Sequence, residues 1–253
     1  AIFASSGIAN RAGATLSSTG TLGGLVVNEG TITARGVLNG QLSNEGAGLF
    51  TVTGDLASNG SDVANIGTAV LAVSGGDLTG VGTLVNASLG ADGAGGNAGL
   101  RIATGRTLAA DLIGNSGEIL IAGTLAGRVE QTAGLLTNHG TIAGDLVANG
   151  GAVSGSGAFD GDVMILADAI FAPGTMGTVA TIDIAGMFGL GGTTSYDLGT
   201  ADVIGGATND LILAGSAVID GGTFDLNNAG AGTYRLINTG GEGSIAVGQY
   251  ALL

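Results

Sequence analysis

The chain has 253 residues with no cysteine, no tryptophan and no lysine, and only one proline and one histidine. Without cysteine there is neither a disulfide framework nor a thiolate metal site, and a chain that must cross a membrane unfolded has no disulfide to lock it early. All six basic residues are arginine, against 20 acidic ones, for a net charge of −14. Nucleic-acid affinity comes largely from neutralising phosphates with cations, so nucleic acid is a poor candidate and no such partner is expected. No apolar run reaches the roughly 18 residues a transmembrane helix needs, so no transmembrane segment is expected. The start, Ala1-Ile2-Phe3-Ala4-Ser5-Ser6-Gly7, lacks a basic n-region before an apolar h-region and lacks an initiating Met. It reads as the interior of a longer precursor.

Glycine, by contrast, is abundant, at 53 residues, and 45% of the chain is hydrophobic. Collagen would need Gly at every third position with much Pro, and disorder would need low hydrophobicity; neither holds. The apolar content is Ala, Val, Ile and Leu rather than large rings, which suits a narrow, regularly stacked core.

Internal repetition is present but loose. Asn28-Glu29-Gly30-Thr31-Ile32, Asn44-Glu45-Gly46, Asn59-Gly60, Asn115-Ser116-Gly117 and Asn138-His139-Gly140-Thr141-Ile142 share one phrase, and Gly123-Thr124-Leu125-Ala126-Gly127 returns as Gly140-Thr141-Ile142-Ala143-Gly144. Between these phrases lie alternating runs such as Phe50-Thr51-Val52, Ile119-Leu120-Ile121 and Val163-Met164-Ile165, the half-buried strand pattern. Helical spacing is absent, and each interior Gly would penalise a helix by roughly 1 kcal/mol. The reading is an all-β parallel β-helix with strands of three to five residues. Gly and Asn are expected to turn its corners in the left-handed backbone region. At roughly 4.8 Å per coil, ~11 to 14 coils would make a rod of ~55 to 65 Å. The competing antiparallel sandwich or barrel would show longer strands, more aromatics and hairpin turns.

From Phe171 the character changes. Phe171-Ala172-Pro173-Gly174-Thr175-Met176-Gly177-Thr178-Val179 is followed by Ile182-Asp183-Ile184-Ala185-Gly186, Ser195-Tyr196-Asp197-Leu198, Asn209-Asp210-Leu211-Ile212-Leu213, Gly221-Gly222-Thr223-Phe224-Asp225-Leu226 and Gly232-Thr233-Tyr234-Arg235-Leu236-Ile237. In this order, over about 70 residues, the segment resembles the C-terminal end of bacterial autotransporter (type V secretion) passenger domains. The earlier repeats match that family only diffusely. The resemblance implies a right-handed β-helix with a C-terminal capping region, the autochaperone, that promotes folding on export. It also implies an outer-membrane barrel in the precursor and a location at the bacterial cell surface or outside the cell. Partners would be a host surface or matrix component, or another copy of the protein in bacterial self-association. Residues 1–165 are read as the β-helix stem and 166–253 as the last coils and cap. The girdled strands of about 10 residues that build a membrane barrel are not in this sequence.

Candidate chemistry is sparse. His139 lies at a repeat corner where other copies carry Glu29 or Ser116, so it reads as a solvent-facing turn residue. Gly155-Ser156-Gly157 is not a nucleophile elbow. Asp160 and Asp162 would face the same way on a regular strand, as a carboxylate pair for polysaccharide cleavage requires. Asp55, Asp77, Asp111 and Asp145 repeat next to Gly or Leu and read as solvated corners. Gly75-Gly76-Asp77 and Gly95-Gly96-Asn97-Ala98-Gly99 lack the spaced Asp of calcium-binding repeats. Thr31-Ile32-Thr33 and Thr51-Val52-Thr53 read as isolated pairs that do not recur on successive coils and reflect the strand preference of Thr. Gly90 to Gly99 is the one candidate insertion. No catalytic, cofactor-binding or metal residues are expected, and the chain reads as a non-enzymatic structural or adhesive module. The alternatives are an inert stem for an upstream domain and, third, a β-helix enzyme acting on polysaccharide.

Overall fold

The computed structural model describes residues 2–3, 7–90, 98–175 and 177–240. Among them are 27 strands and no helix. The strands stack in parallel as a β-solenoid of about nine turns, the parallel β-helix expected from the alternation and the Gly-rich corners. Nine turns are fewer than 11 to 14 because a coil uses more residues than the closest repeats suggest: equivalent Asn positions lie 16 to 29 residues apart. The chain divides into two compact units, Ala1–Glu130 and Gln131–Leu253.

In the first unit one inward column runs Leu16, Ile32, Phe50, Leu71, Leu100, Ile119, each in register with the next. A second column runs Val26, Leu42, Val63, Leu84, Ile113. Period-two alternation delivers both: in Phe50-Thr51-Val52 and in Ile119-Leu120-Ile121 the outer two residues are buried and the middle one is half-exposed. Several strands exceed the expected three to five residues: Thr31–Asn39, Leu49–Ser58 and Leu78–Ser88 reach 9, 10 and 11. They run across a corner without losing their ladder, and the pairing register shifts there, between Ala34 and Gly36 in one case. Gly36 has φ +104, and a Cβ at that position would collide with the carbonyl oxygen of Gly20 in the preceding coil. Gly36→Ala is therefore expected to destabilise the protein by about 2 kcal/mol, read as a lower urea midpoint with an unchanged slope.

In the second unit the column Leu136, Val153, Phe171, Thr194, Phe224 stacks through the strands Leu135–Asn138, Gly151–Gly155, Ala169–Pro173, Thr193–Asp197 and Thr223–Asn227. Here the core takes up rings. Phe171 lies 6.0 Å from Phe159 and 5.4 Å from Phe188 between ring centres, and Tyr196 lies 6.2 Å from Phe224. Pro173 is the last residue of its strand and Gly174 a bridge residue, so the expected Pro-Gly turn does not fall at this step. Gly174 has φ +75 and exchanges backbone hydrogen bonds with Gly155, while Thr175 and Thr178 close the next turn on each other. Of the expected strand Gly232 to Ile237, only Ile237–Asn238 pairs, with Ile212 and Leu213. Tyr234 instead turns its hydroxyl back to accept the Gly230 N–H at 3.0 Å.

Candidate functional site

The repeat phrase Asn-x-Gly has a different basis from the expected one. Among the described residues only Asp202 and Asn228 have positive φ outside glycine. The repeat asparagines are not left-handed corner residues; their side chains point into the core. Asn10, Asn28, Asn44, Asn65, Asn86 and Asn115 are all buried and form one continuous ladder. Each Nδ2 donates to the Oδ1 of the next at 2.8, 2.7, 2.8, 2.8 and 2.8 Å in that order. The second N–H of each of the first five donates to a backbone carbonyl of a following strand: Thr31, Leu49, Val70, Gly99 and Glu118. A tight corner leaves strand-end carbonyls facing inward, where an orphan acceptor is costly. An amide at each coil satisfies them, and its remaining donor and acceptor are met by its own kind above and below. Asn59-Gly60, which carries the same dipeptide signal, stays on the surface. Asn65-Ile66-Gly67 is a further copy of the phrase, whereas Asn10 and Asn86 have no following Gly within two residues, so the Asn-x-Gly phrase could not find those two. The signal that does find them is Asn two positions after an aliphatic strand residue, Ile8 before Asn10 and Leu84 before Asn86.

Four of the six aspartates singled out from the sequence, Asp55, Asp77, Asp145 and Asp162, fasten corners, and Asp62 joins them. Asp55 accepts the Asp77 N–H at 3.1 Å, Asp77 accepts the Thr107 N–H at 2.9 Å, and Asp62 accepts the Thr83 N–H at 2.9 Å. In the second unit Asp145 accepts the Asp162 N–H at 3.0 Å and Asp162 accepts the Met187 N–H at 2.8 Å. Asp160 and Asp162 do not share a strand; both lie in the exposed turn between Ala158–Phe159 and Val163–Ile165, so the geometry expected from a regular strand is not realised. Asp111 is exposed on its strand. Among the described residues no three His, Asp or Glu side chains gather to hold a metal ion. Gly75-Gly76-Asp77 is a corner of this kind, whereas Gly95-Gly96-Asn97 and most of the Gly90 to Gly99 stretch lie outside the described residues.

The fold does bring His139 and Ser156 together, one coil apart, with Nδ1 3.4 Å from Oγ. Both are exposed, and no carboxylate bonds the ring among the described residues. The N–H groups of Gly155 and Gly157 beside the serine already donate to Gly174 and Asn138 carbonyls. The pair thus lacks the orienting acid and two flanking donors that acyl transfer uses. The Thr-x-Thr pairs require a correction: they do lie on successive coils, with Thr15 against Thr31 and Ser17, Thr33 and Thr51 in one row. The rows end at Leu49 and Ala72, which limits the hydroxyl array to three coils. A groove of about 340 Å³ on the first unit is lined by Leu25, Ser43, Asp62, Ala64, Thr83 and Val85 among others, and no aromatic side chain lines it.

The most chemically unusual place is in the second unit, in two motifs of the C-terminal third. Asp210 is 1% exposed. Its Oδ1 accepts the Ala180 N–H and its Oδ2 the Asp197 N–H, both at 2.7 Å. Asp210 N–H donates to the Asp197 carbonyl at 3.0 Å, and the Asp197 carboxylate accepts the Gly177 N–H at 2.7 Å. Burial raises the Asp210 pKa from 3.8 to about 6; the two N–H donors oppose the rise and the Asp197 charge adds to it. Tyr196 is fully buried, its hydroxyl has no partner among the described residues, and burial, then the Asp210 charge, push its pKa well up. Beside them Asn209 pins the 199–208 loop, accepting from Gly199 and Thr200 N–H and donating to Thr200 and Val203 carbonyls.

Comparisons with protein-family models, with curated proteins and with solved structures found no significant match.

Proposed function

We propose that this chain is a non-catalytic structural and adhesive module of an exported bacterial surface protein, similar to an autotransporter passenger. In this reading the last coils promote folding on export, and the rest of the solenoid presents its outer rows to a host surface, a matrix component or another cell. One observation carries the non-catalytic part: the side chains most able to do chemistry are used to join coil to coil. Five aspartates bond backbone N–H groups of the next coil, and the buried asparagines bond one another. The export and adhesion parts rest on the ordered motifs from Phe171 onward.

The test has two arms. Purified protein incubated with acidic and neutral polysaccharides is expected to release no reducing or unsaturated sugar, and Asp162→Asn to weaken folding by about 1 kcal/mol by removing a charge-assisted bond without changing that null result. Sugar release abolished by Asp160→Asn or Asp162→Asn would establish the enzyme instead. In the second arm, bacteria displaying the chain are expected to adhere to matrix-coated surfaces, or to aggregate, more than bacteria lacking it. Equal behaviour of the two strains would overturn the adhesive role.

A further inference from the structure

We propose that Asp210 and Asp197 form a proton-sensitive latch on Gly177 and Ala180, which stabilises the fold more under mild acidification than at neutral and alkaline pH. The latch joins three segments. Asp197, at the end of the strand Thr193–Asp197, reaches Gly177; Asp210, just before the strand Leu211–Ile219, reaches Ala180 and grips the Asp197 backbone in both directions. Leu211 N–H completes the closure on the Ala180 carbonyl at 3.1 Å. The two acidic side chains therefore accept three backbone N–H groups, those of Gly177, Ala180 and Asp197, and among the described residues neither forms an ion pair with an arginine.

The groups facing Asp210 decide the direction. Among the described residues Asp197 is a like charge, Tyr196 is a buried phenol whose hydroxyl has no partner, and the only opposing influences are the N–H groups of Ala180 and Asp197. Ionised, the carboxylate accepts both N–H groups but carries a charge out of water beside a second carboxylate. Protonated, it accepts less well at one oxygen but sheds the burial penalty and the repulsion. The latter effects are the larger, so the folded protein keeps this proton up to about pH 6. Unfolded, the same side chain releases it near 3.8. Between those values the folded state binds more protons. Stability from this group is thus fully present below about pH 3.8 and is lost as pH rises through about 6.

The experiment uses the full chain. Carboxyl-carbon NMR titration of Asp210 in the native protein is expected to give a midpoint near pH 6; a midpoint near 4 overturns the proposal. Melting by circular dichroism is expected to be about 2 to 4 °C higher at pH 5.0 than at pH 7.5. Asp210→Asn should remove that difference, and Asp197→Asn should move the Asp210 midpoint down by removing the like charge. A pH dependence of melting that survives intact in Asp210→Asn overturns the latch. If that variant does not fold, the native titration and the Asp197→Asn midpoint decide alone: an unmoved midpoint counts against the pair.

Discussion

Asn65→Ala is expected to lower stability by about 3 to 5 kcal/mol, the largest loss from any single polar substitution in the first unit. Asn65 sits in the middle of the ladder and is fully buried. It accepts from Asn44 at 2.8 Å and donates to Asn86 at 2.8 Å and to the Gly99 carbonyl at 2.9 Å. Alanine removes all three partners at once and leaves a donor on Asn44 and acceptors on Asn86 and Gly99 inside the core. Each stranded group costs roughly 1 to 3 kcal/mol, and their neighbours in the same column limit relaxation. Asn65→Asp, nearly isosteric, tests the donors alone: it keeps the acceptor for Asn44 and loses both donated bonds. Urea unfolding followed by far-ultraviolet circular dichroism is expected to rank wild type above Asn65→Asp and Asn65→Ala, with Asn59→Ala close to wild type because Asn59 is exposed. Equal midpoints for Asn59→Ala and Asn65→Ala would mean the ladder contributes nothing to stability.

The second large effect belongs to the other unit. Phe171→Ala is expected to cost about 3 to 5 kcal/mol, because Phe171 is fully buried and stands between Phe159 and Phe188 at 6.0 and 5.4 Å. Its removal leaves a cavity bounded by two rings fixed in separate strands, Ala158–Phe159 and Thr181–Leu190, which cannot close without breaking the ladder. Phe171→Leu should recover more than half of the loss, since volume-conserving swaps are tolerated best. Hydrogen exchange would locate the effect: protection should fall along Ala169–Pro173 and Thr181–Leu190, while the Asn65 column keeps its protection. A uniform fall in both units would show that they unfold as one body.

Much of the fold was legible because a solenoid is local. Phe50-Thr51-Val52 and Val163-Met164-Ile165 declare their inward and outward sides by alternation alone, and the single Pro-Gly step marks the end of the strand Ala169–Pro173. Coil length was less legible. Corners such as Gly36, where one strand crosses from face to face, look in the sequence like strand ends, so the strands seemed shorter and the coils more numerous than they are. The acidic candidates show the same limit. Nothing in the spacing of Asp145 and Asp162 reveals that one accepts the other's N–H, because that bond exists only once two coils are stacked.

The sequence by itself determined the class: small apolar residues in short alternating runs, with Gly at the corners, bury a narrow core and leave no helix. The absence of Cys likewise excluded disulfide support. Only the tertiary structure decided what the polar residues do. Asn10, Asn28, Asn44, Asn65, Asn86 and Asn115 become one ladder, and Asp210 becomes a buried carboxylate facing Asp197, because register places side chains from different coils within hydrogen-bond reach. Alternation fixes which way a side chain points, but which side chain lies above it depends on the length of every intervening corner.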